Sequence, residues 1–271
     1  MQDTLVIDFE TKHSFAEVGG EANIRNLGIS VAGVYSYARD EFFAYVENEL
    51  FRMEEMLAET DHIVGFNIKY FDLPVLEPYL SKVSLSRFAL TDMYEDAVNF
   101  LGHRVGLNAL AKATLGTAKS SSGLEALRWF KEGRVEEVKK YCLDDVRITR
   151  DLYEYGKKNG YVLFESYVDG KVHSIPTLWG KEIKRPMLSI VEEAYRERKR
   201  LAIAYVSSQD PDGLGFTKER MIDVYKIKKH EIEAYCHLRG GLRNFRIDRI
   251  LKAEVTGEQY LIPQDFQKTL F

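Results

Sequence analysis

Four carboxylates and one tyrosine stand at positions where a soluble domain normally places apolar side chains. Asp8 and Glu10 lie in the run Val6-Ile7-Asp8-Phe9-Glu10-Thr11, and Asp72 follows Phe71 shortly after Gly65-Phe66-Asn67. Asp145 closes Tyr141-Cys142-Leu143-Asp144-Asp145. Carboxylates gathered in a cleft repel one another unless a cation lies between them. Four of them carry about the charge that two divalent metal ions neutralise, so the set is a donor cage suited to metal-assisted hydrolysis.

Such a cage needs elements that bring its members together. In a strand over 4–10, Leu5, Ile7 and Phe9 share one face while Val6, Asp8 and Glu10 share the other. Carboxylates two residues apart on one face lie about 7 Å from each other, near enough to hold or flank a metal ion. The plain alternative is a strand with one wet face, but Val6 and Ile7 mark this strand as central. Asp72 opens a helix that has Pro74 in its first turn, so helix capping would also explain it. Asn67 would equally serve to close a turn. Both positions suit a cleft at the C-terminal edge of a sheet.

The helix expected over 135–158 gives the sharpest placement. Its buried stripe runs Val135, Val138, Cys142, Thr149 and Leu152, and Asp145 falls on it with Tyr141 one turn before. Asp144 points the other way, with Arg147 and Asp151. A buried carboxylate needs a cation or hydrogen-bond donors. The alternative for Asp145 is a salt bridge to an early Lys or Arg.

Further elements complete the pattern. Strands are expected at 29–37, 42–46 and 62–67, and helices at 49–59, 73–80, 108–115 and 124–131, which together predict a mixed sheet covered by helices. After these, 161–168 and 171–175 read as a hairpin turning at Asp169-Gly170, and 176–186 as a linker. A helix at 189–199 leads into strands at 201–206, 221–227, 231–237, 244–250 and 259–262, the pattern of a small β-barrel or sheet. The expected division is therefore a first domain over 1–160, a hairpin and linker over 161–185, and a second domain over 186–271.

Composition fits this picture and excludes others. The 271 residues are 45% hydrophobic and 30% charged, a globular balance. No apolar run nears the roughly 20 residues that cross a bilayer, and the chain enters its first strand without a basic-then-apolar leader. Its two cysteines, Cys142 and Cys236, are far apart, which points to a reducing cytoplasm rather than a disulfide framework. The net charge of −4 is unevenly spread: from Lys171 onward there are 19 basic against 14 acidic residues, and before it 19 against 28. The basic half is the better surface for a polyanion.

Asp8-x-Glu10, the Gly65-Phe66-Asn67 to Phe71-Asp72 stretch and Tyr141-x3-Asp145 resemble, in order and spacing, the three exonuclease motifs of the DEDD superfamily. The tyrosine four residues before the last aspartate resembles the DEDDy branch, in particular the 3′→5′ exonuclease domain of family B DNA polymerases and its stand-alone relatives. The DEDDh branch has a histidine five residues before that aspartate, where this chain has Lys140. The resemblance spans about residues 3–160. It implies a ribonuclease H-like fold in which Asp8, Glu10, Asp72 and Asp145 would hold two Mg²⁺ or Mn²⁺ ions and Tyr141 would orient the attacking water.

The stretch from Ile232 to Ile250 resembles the core of a WYL domain, an SH3/Sm-like β-barrel associated with binding nucleic acid or nucleotide-like ligands. By that resemblance Arg239, Arg243, Arg246 and Arg249 would contact phosphate, since guanidinium pairs with it bidentately; a solvated basic face is the alternative. The leading expectation is a metal-dependent 3′→5′ exonuclease on single-stranded nucleic acid, DNA favoured over RNA, with Asn67 among the nucleic-acid contacts. Two other readings stay open: an RNA-trimming exoribonuclease, and a non-catalytic nucleic-acid-binding regulator that uses the nuclease fold as a scaffold.

Overall fold

In chain order the elements that carry the carboxylates are β1 (Asp3–Thr11), β2 (Ile29–Ser36), β3 (Glu41–Val46), α1 (Leu50–Ala58), β4 (Thr60–Gly65), α2 (Asp72–Leu76), β5 (Ala89–Asp92), α3 (Met93–Leu101), α4 (Leu107–Leu115), α5 (Gly123–Lys131) and α6 (Val135–Asn159). This is a computed structural model, which describes residues 3–117, 123–180, 187–209, 213, 215–228 and 230–263. Residues 181–186 of the expected linker lie outside the described residues. The chain divides into two units, Met1–Glu154 and Tyr155–Phe271.

The sheet of the first unit has the order β3-β2-β1-β4-β5. β1 is central, antiparallel to β2 and parallel to β4. Leu5, Ile7 and Phe9 of β1 are buried in a core with Met53 and Leu57 of α1 and Leu73 and Leu76 of α2. Each such side chain removed from water contributes about 1.5–3 kcal/mol. On the other face Val31 packs with Val138 and Cys142 of α6. The sheet is thus mixed and covered by helices, as the alternation of patterns predicts. The sequence pattern does not announce β5 and α3: β5 is only four residues long and runs into Asp92, which caps α3, with no Gly or Pro between them.

The second unit contains β6 (Tyr161–Glu165), β7 (Val172–Pro176), α7 (Met187–Glu197), β8 (Lys199–Val206), β9 (Thr217–Ile227), β10 (Glu231–Cys236), β11 (Gly241–Arg246) and β12 (Ile250–Gln259). The β6–β7 hairpin does not turn tightly at Asp169-Gly170. Its loop spans 166–171, with the Ser166 N–H bonded to the Lys171 carbonyl at 2.9 Å, and Gly170 supplies the positive φ of 63°. The strand expected over 244–250 is likewise broken, because a 3₁₀ turn at Ile247–Arg249 separates β11 from β12. The last strand, expected at 259–262, instead ends at Gln259.

The order β11-β10-β9-β8-β12 puts β11 and β12 at opposite edges of one sheet. Laid flat, five strands would separate those edges by roughly 19 Å at about 4.8 Å per strand. A three-residue 3₁₀ link advances only about 2 Å per residue, so the sheet must curl towards a barrel. Its core gathers Val191 and Ala194 of α7 with Leu201, Ile222, Ile232 and Phe245. Among the described residues no helix is long and apolar enough to cross a membrane. Cys142 and Cys236 are buried free thiols.

Candidate functional site

The β1 pleat turns Asp8 and Glu10 towards α6, opposite the Leu5-Ile7-Phe9 core. Asp8 pairs with Gly33 of β2 across the ladder, and the register shifts between Glu10 and Thr11 at the edge of the site. Gly33 decides how close α6 comes. A Cβ there would lie 2.7 Å from Cys142 Sγ and 2.8 Å from Val146 Cγ2. Without one, the Cys142 thiol reaches the Asp8 carbonyl at 3.1 Å, and Tyr141 and Asp145 are carried to the acidic strand. Burial and the Asp8, Glu10 and Asp145 charges raise the Cys142 pKa well above the ordinary thiol range, so this sulfur is a packing group, not a nucleophile.

Asp8, Glu10 and Asp145 each offer an oxygen within 4.8 Å of the others. At that separation each pair of charges repels by on the order of 3 kcal/mol for an effective dielectric of about 20. Asp145 is only 3% exposed. The three line a cavity of about 360 Å³ together with Asp72, Asn67, Phe71 and Tyr141. Asp144 stays outside, paired with Arg147. Tyr141 is buried, its ring edge-on to Trp129 at 6.2 Å. Burial first, then the charges of Asp145, Glu10 and Asp8 and a hydrogen bond to Asp145, push its pKa far up. Its hydroxyl therefore stays protonated.

Asp72 stands apart from the tight triplet. It is the first residue of α2 rather than its cap, and its Oδ1 accepts the Phe9 N–H at 2.9 Å. Capping is therefore not what this carboxylate does; it ties α2 to the acidic strand. Burial and the charge of Asp92 raise its pKa to about 7. Asn67 lines the cavity with a positive φ of 68°.

Two features of the site are not evident from the motifs. Asp92 accepts the Asn67 N–H at 2.8 Å and the Lys69 N–H at 2.9 Å while capping α3, so it holds the loop that carries Asn67. Its signal in the sequence is Asp92 followed three residues later by Glu95. Gly65 lets Ile68 fold back under β4, since a Cβ there would meet Ile68 Cγ2 at 2.2 Å and the Ile7 carbonyl at 3.0 Å.

All the donors here are carboxylate oxygens, which suit hard divalent ions such as Mg²⁺ and Mn²⁺. Three of them already converge, and the fourth lines the same cavity, so the residues fit a metal centre.

The four barrel arginines separate into two kinds. Arg239, Arg243 and Arg246 are exposed, Arg246 paired with Asp248. Arg249 is 7% exposed and donates to Ser174 Oγ at 3.1 Å, the Ser174 carbonyl at 3.1 Å and the Val206 carbonyl at 3.2 Å. Arg249 is thus corrected from a phosphate contact to an internal strut: its position at the end of the 3₁₀ turn points it inward.

The class defined by this fold and site matches the family comparison. The model described as RNase_H superfamily matches residues 16–156, and the chain belongs to that superfamily. A WYL domain is matched over residues 186–255. No curated protein matches the sequence. Among solved structures, the proteasome accessory factor B/C (PafBC) of Arthrobacter aurescens is 23% identical over 58% of this chain, with a TM-score of 0.23. The matched region spans 21% of that chain.

Proposed function

We propose that this chain is a DEDDy-type, metal-dependent 3′→5′ exonuclease acting on single-stranded nucleic acid, with DNA favoured over RNA. The observation that carries this reading is the convergence of the Asp8, Glu10 and Asp145 oxygens within 4.8 Å, beside the protonated hydroxyl of Tyr141. Two divalent ions, Mg²⁺ or Mn²⁺, would supply charge neutralisation at the phosphate and a more acidic water. Asp8, Glu10 and Asp145 would hold them, and Asp72, once deprotonated, would serve as a fourth donor. Tyr141 fixes the attacking water for in-line approach to the terminal phosphodiester. The water oxygen bonds to phosphorus and the bond to the upstream 3′ oxygen breaks. The products are a nucleoside 5′-monophosphate and a chain one nucleotide shorter with a 3′ hydroxyl.

A catalytically silent scaffold would have no reason to keep these acids together, since each carboxylate pair costs free energy without a cation. For the second unit the reading is a nucleic-acid or nucleotide-like ligand, met by the exposed Arg239, Arg243 and Arg246. Free buried thiols fit a reducing cytoplasm. Calorimetric titration of Mn²⁺ tests the metal centre. Two ions should bind the full chain, with at least tenfold weaker binding in Asp8→Ala. Equal binding by both proteins overturns the proposal.

A further inference from the structure

Beside the acidic cavity lies a second one of about 520 Å³, and Phe15, Asn67 and Phe71 line both. The second cavity adds Tyr70, Tyr94 and Arg104, with Glu21 also on its wall. Tyr70 is 65% exposed, although its neighbour Ile68 is fully buried. Packing does not require an aromatic ring there.

The other rings are held in place. Tyr94 meets Phe66 edge-on at 5.5 Å, and Phe15 meets Phe71 edge-on at 6.1 Å. Asp92 fixes the Tyr94 backbone N–H at 3.1 Å. An edge-to-face pair covers at most one face of one of its two rings, and aromatic rings lining a cavity beside a guanidinium suit unstacked bases and the phosphates that link them.

We propose that this cavity is the subsite for the nucleotides immediately 5′ to the scissile bond. Their bases stack on Tyr70 and Tyr94, and Arg104 pairs with a phosphate. This rests on the nuclease reading above. A strand whose last nucleotide fills the acidic cavity has to leave it, and the wall shared through Asn67 and Phe71 provides the continuation. A base stacked on a tyrosine has left its duplex stack, so the shelf selects single-stranded ends. Glu21 opposes the phosphate, so the rings rather than net charge supply most of the binding.

The test uses the full chain and 5′-fluorescein-labelled hexathymidylate, titrated by anisotropy in EDTA so that nothing is cut. Tyr70→Ala should weaken binding about tenfold and Tyr70→Phe should restore most of it. Arg104→Ala should lower the salt slope by about one phosphate contact. The exposure of Tyr70 makes the alanine variant compatible with the fold, which thermal melting checks.

A second readout compares kcat/KM for hexathymidylate with that for the p-nitrophenyl ester of thymidine 5′-monophosphate, which has no nucleotide beyond the scissile bond. In Tyr70→Ala that ratio should fall about tenfold. An unchanged ratio with unchanged anisotropy overturns the subsite. If the wild type cleaves neither substrate, the nuclease reading fails and the EDTA titration alone decides. Weaker binding by Tyr70→Ala then sustains the shelf, and equal binding overturns it.

Discussion

Gly33 faces Asp8 across the antiparallel ladder of β1 and β2, and its missing side chain is the space into which Cys142 and Val146 of α6 settle. Two residues distant in sequence thereby set the gap between the acidic strand and the helix that brings Asp145. Gly33→Ala should force α6 outward, costing about 1–3 kcal/mol of stability by overpacking. It should also weaken Mn²⁺ binding at least tenfold. Urea denaturation and a Mn²⁺ titration on the same sample check both parts, and an unchanged metal affinity would contradict the packing argument.

Asp145 and Tyr141 differ in what they do, so their loss should differ in size. Asp145→Asn removes a converging donor and should lower kcat by at least about 10³-fold, within the range that mispositioned acid–base and metal chemistry produces. Tyr141→Phe keeps the ring against Trp129 and loses only the hydroxyl to which the proposed mechanism gives the task of orienting water. Its cost should be about 10–100-fold. Single-turnover rates on labelled single-stranded DNA separate the two.

Asp72 makes the metal-free protein sensitive to pH. Its pKa rises from 3.8 to about 7 in the folded state, so folding favours its protonated form. That contribution is fully present below about pH 3.8 and is lost as pH rises through about 7. In EDTA the melting temperature should therefore fall between pH 5 and 8, and Asp72→Asn should flatten the fall. Asparagine can still accept the Phe9 N–H. A wild-type profile that matches that of Asp72→Asn would remove Asp72 as its source.

The arginines of the second unit should divide in the same assay series. Arg249→Ala strips three charge-assisted hydrogen bonds from Ser174 and Val206 and should destabilise that unit by about 2–5 kcal/mol. Arg243→Ala, at an exposed site, should leave the melting temperature within about a degree and reduce the salt slope of nucleic-acid binding. Calorimetric melting and filter binding measure the two effects.

The acidic strand and the inward face of α6 are legible from periodicity alone, because a charged residue on a buried stripe stands out at periods of 2 and 3.6. Asp145 rather than Asp144 follows directly from that. Asp72 is not legible in the same way: an acid at a helix start looks like a cap, and only the Phe9 N–H bond tells the two apart. Gly33 is hidden for another reason. A glycine in an apolar strand signals close approach, but the partner helix lies more than a hundred residues away in sequence. Arg249 shows a third limit, since a run of arginines does not reveal which of them a 3₁₀ turn directs inward.

Degradation of single-stranded DNA labelled at its 5′ end, followed over time with Mg²⁺ or Mn²⁺ and with EDTA, tests the nuclease reading most directly. The wild type should yield a ladder shortened one nucleotide at a time from the 3′ end, with nucleoside 5′-monophosphates released only when metal is present. Asp8→Ala should give no ladder. A 5′-labelled strand that stays full length with metal, or a ladder from Asp8→Ala equal to the wild type's, would contradict it.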